Sequence, residues 1–460
     1  MEQPTPRPTQ VWVVLADMLS IRTFFDCGIV DLMAERLGPR LELVILVEPA
    51  WVKRWIKRVE GVRVTYLLDL FPFKVGFAER VARRADLWLD EIIGFYPLAV
   101  RFNLRQGFHR ERMEPGHDNW FLDSTRVGAL PRWGSVERAM FRWHFSRRRY
   151  VSHTLVERMR SECAAVVVSN LQIRSAVPCL NAAHRLHRPV VGYVASWDHT
   201  VGKGVVTPYA DRYIVQNDGM RDDLARFHGI EPGRVVVTGW PQTDVFHRRR
   251  PREDFDALLR DYGLDPSRPV VLVMGNTPTN APYEGQFVER LVRWWEESGA
   301  RNRFQLLLRP HPRDDRWRER FAAAAGKTGL HVQEPGYADI DVLAVMLQHG
   351  NCVVSNAGTI LLDSLVNDRP AVCVLYDEGA PSGESWAAKN VIGEHYRELM
   401  ASSAFYRAES FDEVVAGIER ALDQPDELAS ERARVAREVV GDVDGKAAER
   451  VVDAVLGAIG

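Results

Sequence analysis

The sequence lacks the features that mark secreted, membrane-spanning or disulfide-bonded proteins. Its 460 residues include five cysteines, an odd number, and these are widely spaced with no pairing typical of zinc ligands. No run of about 18 apolar residues occurs. The Pro-rich, polar stretch before Val11 has no charged-then-apolar order of the kind found in signal peptides. These absences predict a reduced, cytoplasmic protein without a transmembrane segment.

Three further absences limit the function. The formal net charge is −2, which argues against a dedicated nucleic-acid binder. No GxGxxG follows the first apolar strand, so the dinucleotide fingerprint is missing. No DxD pair stands at a strand end, and Asp314-Asp315 reads as a helix start. We therefore expect neither a cofactor nor a catalytic metal.

What the sequence does contain is an alternation of short apolar runs with helical patterns, which predicts an α/β protein with parallel sheets. Its length favours two domains, residues 1–246 and 247–460, joined by a hinge at His247–Pro251. The last helical pattern, after Lys446, can pack back onto the first domain, and no strand is expected after Leu375. Strands are predicted at 11–16, 41–47, 62–67, 164–168, 190–194, 212–215, from 235, and at 270–274, 304–308, 330–332, 352–354 and 371–375.

Polar residues directly follow two of these strands in the second domain. Arg309-Pro310-His311-Pro312 comes after one apolar run, and Ser355-Asn356-Ala357-Gly358-Thr359 after another. The carboxyl ends of parallel strands open onto a ligand crevice. The pattern therefore predicts a site that binds a nucleotide.

The first domain offers its own candidates at strand ends. Asp17 begins the first loop, although Asp at such a position is commonly a turn or cap residue. A later loop runs from Ser196 to Gly204 and carries Asp198, His199 and Lys203, which can combine a base with a phosphate partner.

Residues 101–150 form a locally basic, aromatic insertion with eleven Arg, no Lys and five acidic residues. One interpretation is a solvated helical pair whose aromatic residues pack on the sheet. The other is a surface for an anionic membrane or a lipid-linked acceptor, because arginine binds phosphates and aromatic side chains suit the interface. Its proposed contacts are Trp143, Arg147, Arg148 and Arg149.

Together these motifs resemble the GT-B superfamily. The resemblance also uses the stretch Thr238 to Asp244 and the closing Asp444-Gly445-Lys446-Ala447. Within the superfamily the chain is similar to the bacterial surface-polysaccharide and CDP-glycerol glycerophosphotransferase-like group, and more distantly to UDP-N-acetylglucosamine 2-epimerases. This implies two Rossmann-like domains facing a central cleft, the second binding a nucleotide-activated donor and the first the acceptor.

The resemblance implies roles for residues of the second domain. Gly358 and Thr359 begin a helix whose amides suit a diphosphate, although a helix cap explains Asn356 equally well. Asp363 lies where related sequences contact ribose, with a solvated helix face as the alternative. His311 and Arg309 stabilise charge on the leaving nucleotide. From loop position alone, further donor contacts are expected from Asn276, Thr277 and Tyr337 of this domain and from Lys203 of the first domain.

The retaining GT-B pattern of two glutamates seven residues apart is missing, since Trp386 stands eight positions after Glu378. This favours inversion, which needs a base in the first domain, and Asp17, Asp198 and His199 are the candidates.

Four functions remain open. The leading one is an inverting, metal-independent glycosyltransferase that moves a sugar from a nucleotide-sugar to a surface-glycan or lipid-linked acceptor. The alternatives are a CDP-glycerol-type glycerophosphotransferase or a 2-epimerase-like nucleotide-sugar enzyme, and lastly a non-catalytic nucleotide-sugar binder. Contact with the inner face of an anionic membrane is expected of the leading function.

Overall fold

A computed structural model describes residues 8–71, 76–92, 151–203, 206–336, 340–382 and 385–460. The chain forms two compact units. Unit 1 comprises Met1–Pro241 with Lys446–Gly460, and unit 2 comprises Gln242–Gly445. Each unit contains one sheet, and every strand pairing in both sheets is parallel. Within the described ranges, none of the helices is both long and apolar enough to span a bilayer.

The sheet of unit 1 has seven strands in the order β3-β2-β1-β4-β5-β6-β7. Two of its strands are buried along their whole length and three more at all but one residue, which explains why these five read as apolar runs in the sequence. The strands are β1 Gln10–Leu15, β2 Leu41–Ile45, β3 Arg63–Tyr66, β4 Cys163–Val168, β5 Val190–Tyr193, β6 Arg212–Val215 and β7 Val235–Val237.

The sheet of unit 2 has six strands in the order β10-β9-β8-β11-β12-β13. The expectation of no strand after Leu375 is wrong, because β13 pairs with β12 at the edge of the sheet. β13 has three residues with an exposed Arg407 in the middle, so it leaves no apolar run. The strands are β8 Val270–Met274, β9 Gln305–Arg309, β10 Leu330–Val332, β11 Cys352–Ser355, β12 Ala371–Val374 and β13 Tyr406–Ala408.

Helices connect the strands in both units. In unit 1 they are α1 Met18–Asp26, α2 Ile29–Leu37, α3 Pro49–Ile56, α4 Leu67–Leu70, α5 Phe77–Ile92, α6 His153–Glu162, α7 Val177–Arg185, α8 His199–Gly202 and α9 Asp218–Asp223, which continues as a π-helix at Leu224–His228. Most of α10 Pro241–His247 lies in unit 2, together with α11 Arg252–Asp261, α12 Glu284–Glu297, α13 Trp317–Arg320, α14 Ile340–His349, α15 Thr359–Val366, α16 Trp386–Lys389, α17 Arg397–Ala401, α18 Phe411–Asp423 and α19 Ala429–Val435, which continues as a π-helix at Ala436–Val440. The last helix is α20 Ala447–Ile459.

The last helix belongs to unit 1. Val451, Val452 and Val455 of α20 are buried in the core of that unit, and Arg450 Nε donates to Thr238 O at 2.7 Å. The unit boundary follows Pro241, whereas the predicted domain boundary follows residue 246.

The segment interpreted as a hinge, His247–Pro251, lies within unit 2 and is bonded to α14. Gln348 Nε2 donates to Arg248 O at 3.1 Å, and Gln348 Oε1 accepts from Arg250 N at 2.8 Å.

Each sheet reverses its strand order at one point, between β1 and β4 in unit 1 and between β8 and β11 in unit 2. Loops after such a pair of strands diverge and leave a crevice at the carboxyl edge of the sheet. The candidate residues Asp17, Asn276, Thr277 and Asn356 follow three of these four strands, β1, β8 and β11. The fold therefore places one crevice in each unit.

Candidate functional site

His311 follows β9 at the carboxyl edge of unit 2, held by the two flanking prolines. Its Nδ1 accepts a hydrogen bond from the backbone N–H of Arg313 at 3.0 Å. A nitrogen that accepts carries no proton, so the neutral ring has its proton on Nε2. Nε2–H is a donor suited to a phosphate oxygen. The carbonyl of His311 accepts from Asp314 N at 2.8 Å, which fixes the turn.

Arg309, the last residue of β9, is positioned by a side chain from the neighbouring strand end. Its Nη1 donates to Gln333 Oε1, and Gln333 Nε2 donates to Tyr262 Oη at 2.9 Å. The Tyr262 ring stacks on His331 with centroids 4.0 Å apart. The guanidinium therefore has a defined orientation at the edge where a donor would bind.

A buried cluster of three charged side chains, Arg320, Glu284 and Asp314, lies next to this edge of the sheet. Arg320 bridges two carboxylates, pairing with Glu284 at 2.8 Å and with Asp314. Burial raises the pKa of Glu284 to about 7, and the Arg320 charge opposes that shift. Arg320 Nη1 also donates to Asn276 O at 3.1 Å. The group thus ties the loop after β8 to the loop after β9.

The two candidate residues after β8 are buried within that loop. Asn276 N donates to Glu284 Oε1, and Asn276 Oδ1 accepts from Thr277 N, both at 2.8 Å. Asn276 and Thr277 are 9% and 6% exposed. Both residues therefore help to hold the loop in shape. A nucleotide donor can contact their side chains only through the small part that is exposed.

Gly358 begins α15 as predicted, with φ 102°, a backbone conformation that favours glycine. Its N–H, expected to bind phosphate, donates to Tyr396 Oη at 2.7 Å. No side chain described here caps the helix. The amides of the first turn after Gly358, starting at Thr359, are therefore the ones that suit an anion.

Asn356 does not cap this helix, so the capping interpretation is wrong. Its Nδ2 donates to Val374 O at 2.7 Å and to Ala387 O at 3.1 Å. Its Oδ1 accepts from Asn390 Nδ2. The side chain instead ties β11 to β12 and α16 beneath the crevice.

Asp363 is buried at 2% exposure, so the alternative of a solvated helix face is also wrong. Both of its oxygens accept from Gln242 Nε2, at 2.9 and 3.0 Å. Gln242 belongs to the stretch Thr238 to Asp244 that carried the resemblance. Asp363 as a ribose contact stays a prediction.

In unit 1, Asp17 lies at the point where the strand order reverses. Its Oδ1 accepts from Ser20 N at 2.7 Å, so Asp17 is the cap of α1 that the sequence allowed. Its Oδ2 accepts from Asn170 Nδ2, also at 2.7 Å. Asn170 follows β4, the strand that pairs with β1. Together they make a polar pair across the crevice of unit 1.

His199 is the most enclosed titratable group of this edge. It is 7% exposed, and its Nδ1 has no hydrogen-bond partner among the described residues. Burial lowers the pKa of the imidazole, and the charges of Asp198 and Asp17 oppose that shift. A buried, neutral imidazole near carboxylates is suited to act as a base. Asp198 precedes α8 as its N-cap residue, and its Oδ2 lies 3.9 Å from Lys203 Nζ.

Several expected contacts lie outside the described residues. These are Tyr337 and the four residues of the basic insertion, Trp143, Arg147, Arg148 and Arg149, and the end of the candidate loop at Gly204 lies outside as well.

Solved structures with a similar fold are nucleotide-sugar enzymes and a polymerase. UDP-GlcNAc 2-epimerase from Neisseria meningitidis superimposes with a TM-score of 0.56 at 9% identity, covering 97% of this chain and 100% of that one. The wall teichoic acid polymerase TagF gives 0.51 at 11% identity, covering 98% and 89%. These likenesses concern the fold alone, and they bear out two Rossmann-like domains with parallel sheets.

Curated relatives match over a short stretch. A processive diacylglycerol β-glucosyltransferase of Staphylococcus epidermidis is 33% identical over 76 residues, which is 16% of this chain and 18% of that protein. The corresponding enzyme of Staphylococcus saprophyticus is 28% identical over 97 residues, 21% and 23% of the two chains. The chain thus matches less than a quarter of the length of either relative.

A family model covers more than half of the chain. Residues 187–457 match the family described as CDP-glycerol:poly(glycerophosphate) glycerophosphotransferase. The match includes His199 in unit 1 and the edge of unit 2 with His311 and Gly358. The chain belongs to this glycerophosphotransferase family.

Proposed function

We propose that the protein transfers an alditol phosphate, such as glycerophosphate, from a CDP-activated donor to a hydroxyl group of an acceptor. The observation that carries the proposal is the carboxyl edge of unit 2, where His311 and the first turn of α15 both present N–H donors. The family match over residues 187–457 supports the choice of donor. The sequence alone had placed this function second to sugar transfer.

In the proposed reaction the acceptor oxygen attacks the β-phosphorus of the donor. A new phosphorus–oxygen bond forms, and the bond from that phosphorus to the oxygen bridging the α-phosphate breaks. CMP leaves with the electron pair of the broken bond. The acceptor proton passes to a base, and we assign that base to His199, because its burial keeps the imidazole neutral at pH 7.

On the donor side, charge accumulates on the oxygen that leaves with CMP. His311 Nε2–H is aimed by the Arg313 contact and supplies a donor for this oxygen. Arg309 and the amides that follow Gly358 bind the remaining phosphate oxygens. Asp17 acts on His199 by charge, and Asn170 fixes Asp17 in place.

Sugar transfer is the second candidate, and the short match to the glucosyltransferases favours it. The same base would then deprotonate an acceptor that attacks the anomeric carbon. A nucleoside diphosphate would leave instead of CMP. The two reactions share their residues and differ in the nucleotide that is released.

We also propose that unit 1 contacts an anionic membrane surface, where a lipid-linked acceptor resides. Four large apolar side chains of unit 1 are exposed. Trp51 on α3 is 63% exposed, and Phe77, Val81 and Trp88 on α5 are 79%, 51% and 59% exposed. On α5 they share one face, and exposed arginines 80, 83 and 84 lie beside them. Apolar side chains flanked by arginine suit a headgroup region.

Donor binding tests the proposal independently of the acceptor. A ligand that binds the folded protein raises its melting temperature with concentration. We expect CDP-glycerol to raise Tm more than UDP-, GDP- or TDP-linked sugars, and His311→Ala to reduce that shift. His153→Ala is the matched control, because His153 is 82% exposed in unit 1. Equal shifts from all donors, or a UDP-sugar shift that exceeds the CDP-glycerol shift, would contradict the choice of donor.

A further inference from the structure

A groove lies at the amino edge of the unit 1 sheet, where β5 and β6 begin, opposite the carboxyl edge that carries Asp17 and His199. Its volume is about 440 Å³, within the usual range for small-molecule sites. Gly457 and Ala458 of α20 line it with little side chain. We call it the amino-edge groove. Its polar lining consists of His184, His187, Arg188, Tyr209, Asp211 and Arg212.

The lining is basic, because it contains two arginines and one acid. Neither Arg188 nor Arg212 forms an ion pair with a carboxylate among the described residues. Arg188 Nη2 donates to Arg160 O at 3.0 Å, which fixes the position of that guanidinium. The carboxylate of Asp211 is engaged by the backbone, since its Oδ2 accepts from Val190 N at 2.8 Å. Guanidinium groups bind phosphate oxygens with two N–H donors at once, so the groove favours a phosphate.

His187 stands at a backbone position where glycine is usual. It follows α7 with φ 52°, and Arg188 N donates to Ala183 O at 2.9 Å, as in a Schellman cap. Of the described non-glycine residues, only His187 and Asp368 have a positive φ, and Asp368 uses its side chain to pair with Arg432. The imidazole of His187 has no hydrogen-bond partner among the described residues. It therefore has an N–H donor to offer to a ligand in the groove.

The groove also contains a stacked pair of rings. His184 from α7 and Tyr209 from the loop before β6 have ring centroids 4.1 Å apart and planes inclined by 22°. Basic residues at the end of α7 suit the helix dipole by themselves, but this does not explain Tyr209 or Arg212, which belong to another segment. A stacked pair packs against the carbon-rich part of a ligand. An inorganic phosphate ion would leave both this pair and much of the volume unused.

We propose that the amino-edge groove binds a phosphate ester. Arg188, Arg212 and His187 hold the phosphate, and the organic part packs on the stacked rings. The site is separate from the crevices at the carboxyl edges of both sheets, and it does not depend on the proposed function. The ester can come from two sources, a small monoester or a phosphodiester chain.

Chemical labelling reports on the groove one histidine at a time. Diethylpyrocarbonate modifies exposed imidazoles, and mass spectrometry of the digested protein gives the labelling rate of each. His153, which is 82% exposed on α6 and does not line the groove, is a reference within every sample. The probes are glycerol 3-phosphate, CMP, a short oligomer of glycerol phosphate, and inorganic phosphate.

We expect at least one ester to slow the labelling of His184 and His187 and to leave His153 unchanged. At about ten times the Kd only about one tenth of the groove is unoccupied, so labelling should be about tenfold slower. Protection by a monoester identifies a small metabolite as the source, and protection by the oligomer alone identifies a phosphodiester chain. No protection by any ester, equal protection by inorganic phosphate, or equal protection of His153 would overturn the proposal.

Two substitutions test the assigned contacts. His187→Gly removes the imidazole but places the preferred residue in the cap, so the melting temperature should not fall. Arg212→Gln removes one charge from an exposed residue at the start of β6. Each should raise the Kd for the protecting ester about tenfold, as expected for one lost hydrogen bond to a charged group, whereas His153→Ala should not.

The Kd in these variants is measured from the protection of His184, which all of them retain. A wild-type Kd in both His187→Gly and Arg212→Gln would overturn the proposal. If the groove histidines are protected as expected while the wild type transfers nothing from CDP-glycerol, the proposed function fails and the groove stands.

Discussion

The role of His311 can be tested without disturbing the loop that holds it. The bond from Arg313 N to Nδ1 fixes the loop, whereas Nε2–H is the group assigned to the leaving phosphate. Asparagine can accept the Arg313 N–H in place of Nδ1, but it has no atom at the position of Nε2. His311→Asn should therefore keep the structure and lose the chemistry, whereas His311→Ala loses both.

Two magnitudes follow from these contacts. Removing a donor that stabilises developing charge typically lowers turnover about 10²- to 10³-fold, or ~2.7–4 kcal/mol. Losing one net hydrogen bond costs roughly 0.5–1.5 kcal/mol of folding stability. For a unit the size of unit 2 this corresponds to a drop in melting temperature of a few degrees, about 2–4 °C per kcal/mol.

The assay combines acceptor-dependent nucleotide release with calorimetry on both variants and on His153→Ala. We expect at least about a 10²-fold loss of turnover in His311→Asn and His311→Ala, with a lower Tm in the alanine variant alone. Wild-type turnover in a stable His311→Asn would remove His311 from the mechanism.

Three other predictions concern the remaining features. Arg320→Met leaves the buried carboxylates of Glu284 and Asp314 without their cation and should cost about 3–5 kcal/mol of stability; an unchanged Tm in calorimetry would refute this. Since burial lowers the pKa of His199 below its ordinary 6.5, kcat/KM should fall as pH falls, with its midpoint below pH 6.5; a midpoint above 6.5 would argue against His199 as the base. Phe77→Ser with Trp88→Ser should weaken sedimentation with anionic liposomes and added salt should weaken it further, whereas Ile392→Ser, an exposed apolar site of unit 2, should not; equal sedimentation of all variants would exclude this surface.

The strands of both sheets were predictable from sequence because buried parallel strands read as unbroken apolar runs. β13 was not, since an edge strand of three residues with Arg407 at its centre lacks that signal. Strand-end residues such as His311 and Gly358 could be identified because parallel strands end at one edge of a sheet.

The partners of the site residues could not be predicted, because they come from distant parts of the chain. Asn170 meets Asp17 across 153 positions, and Gln242 meets Asp363 across 121. Tyr396, whose hydroxyl accepts from the N–H of Gly358, ends a three-residue 3₁₀ helix that has no sequence signature. Such contacts follow from the packing of whole loops, which local patterns do not encode.

The nucleotide released during transfer tests the central claim most directly. With CDP-glycerol and an acceptor carrying free hydroxyl groups, we expect CMP to appear in equal amount to the glycerophosphate gained by the acceptor, and His199→Gln to abolish both. Anion-exchange chromatography separates CMP from nucleoside diphosphates in a single run. Acceptor-dependent release of a nucleoside diphosphate from a nucleotide-sugar, with no CMP formed from CDP-glycerol, would contradict the account and establish sugar transfer instead.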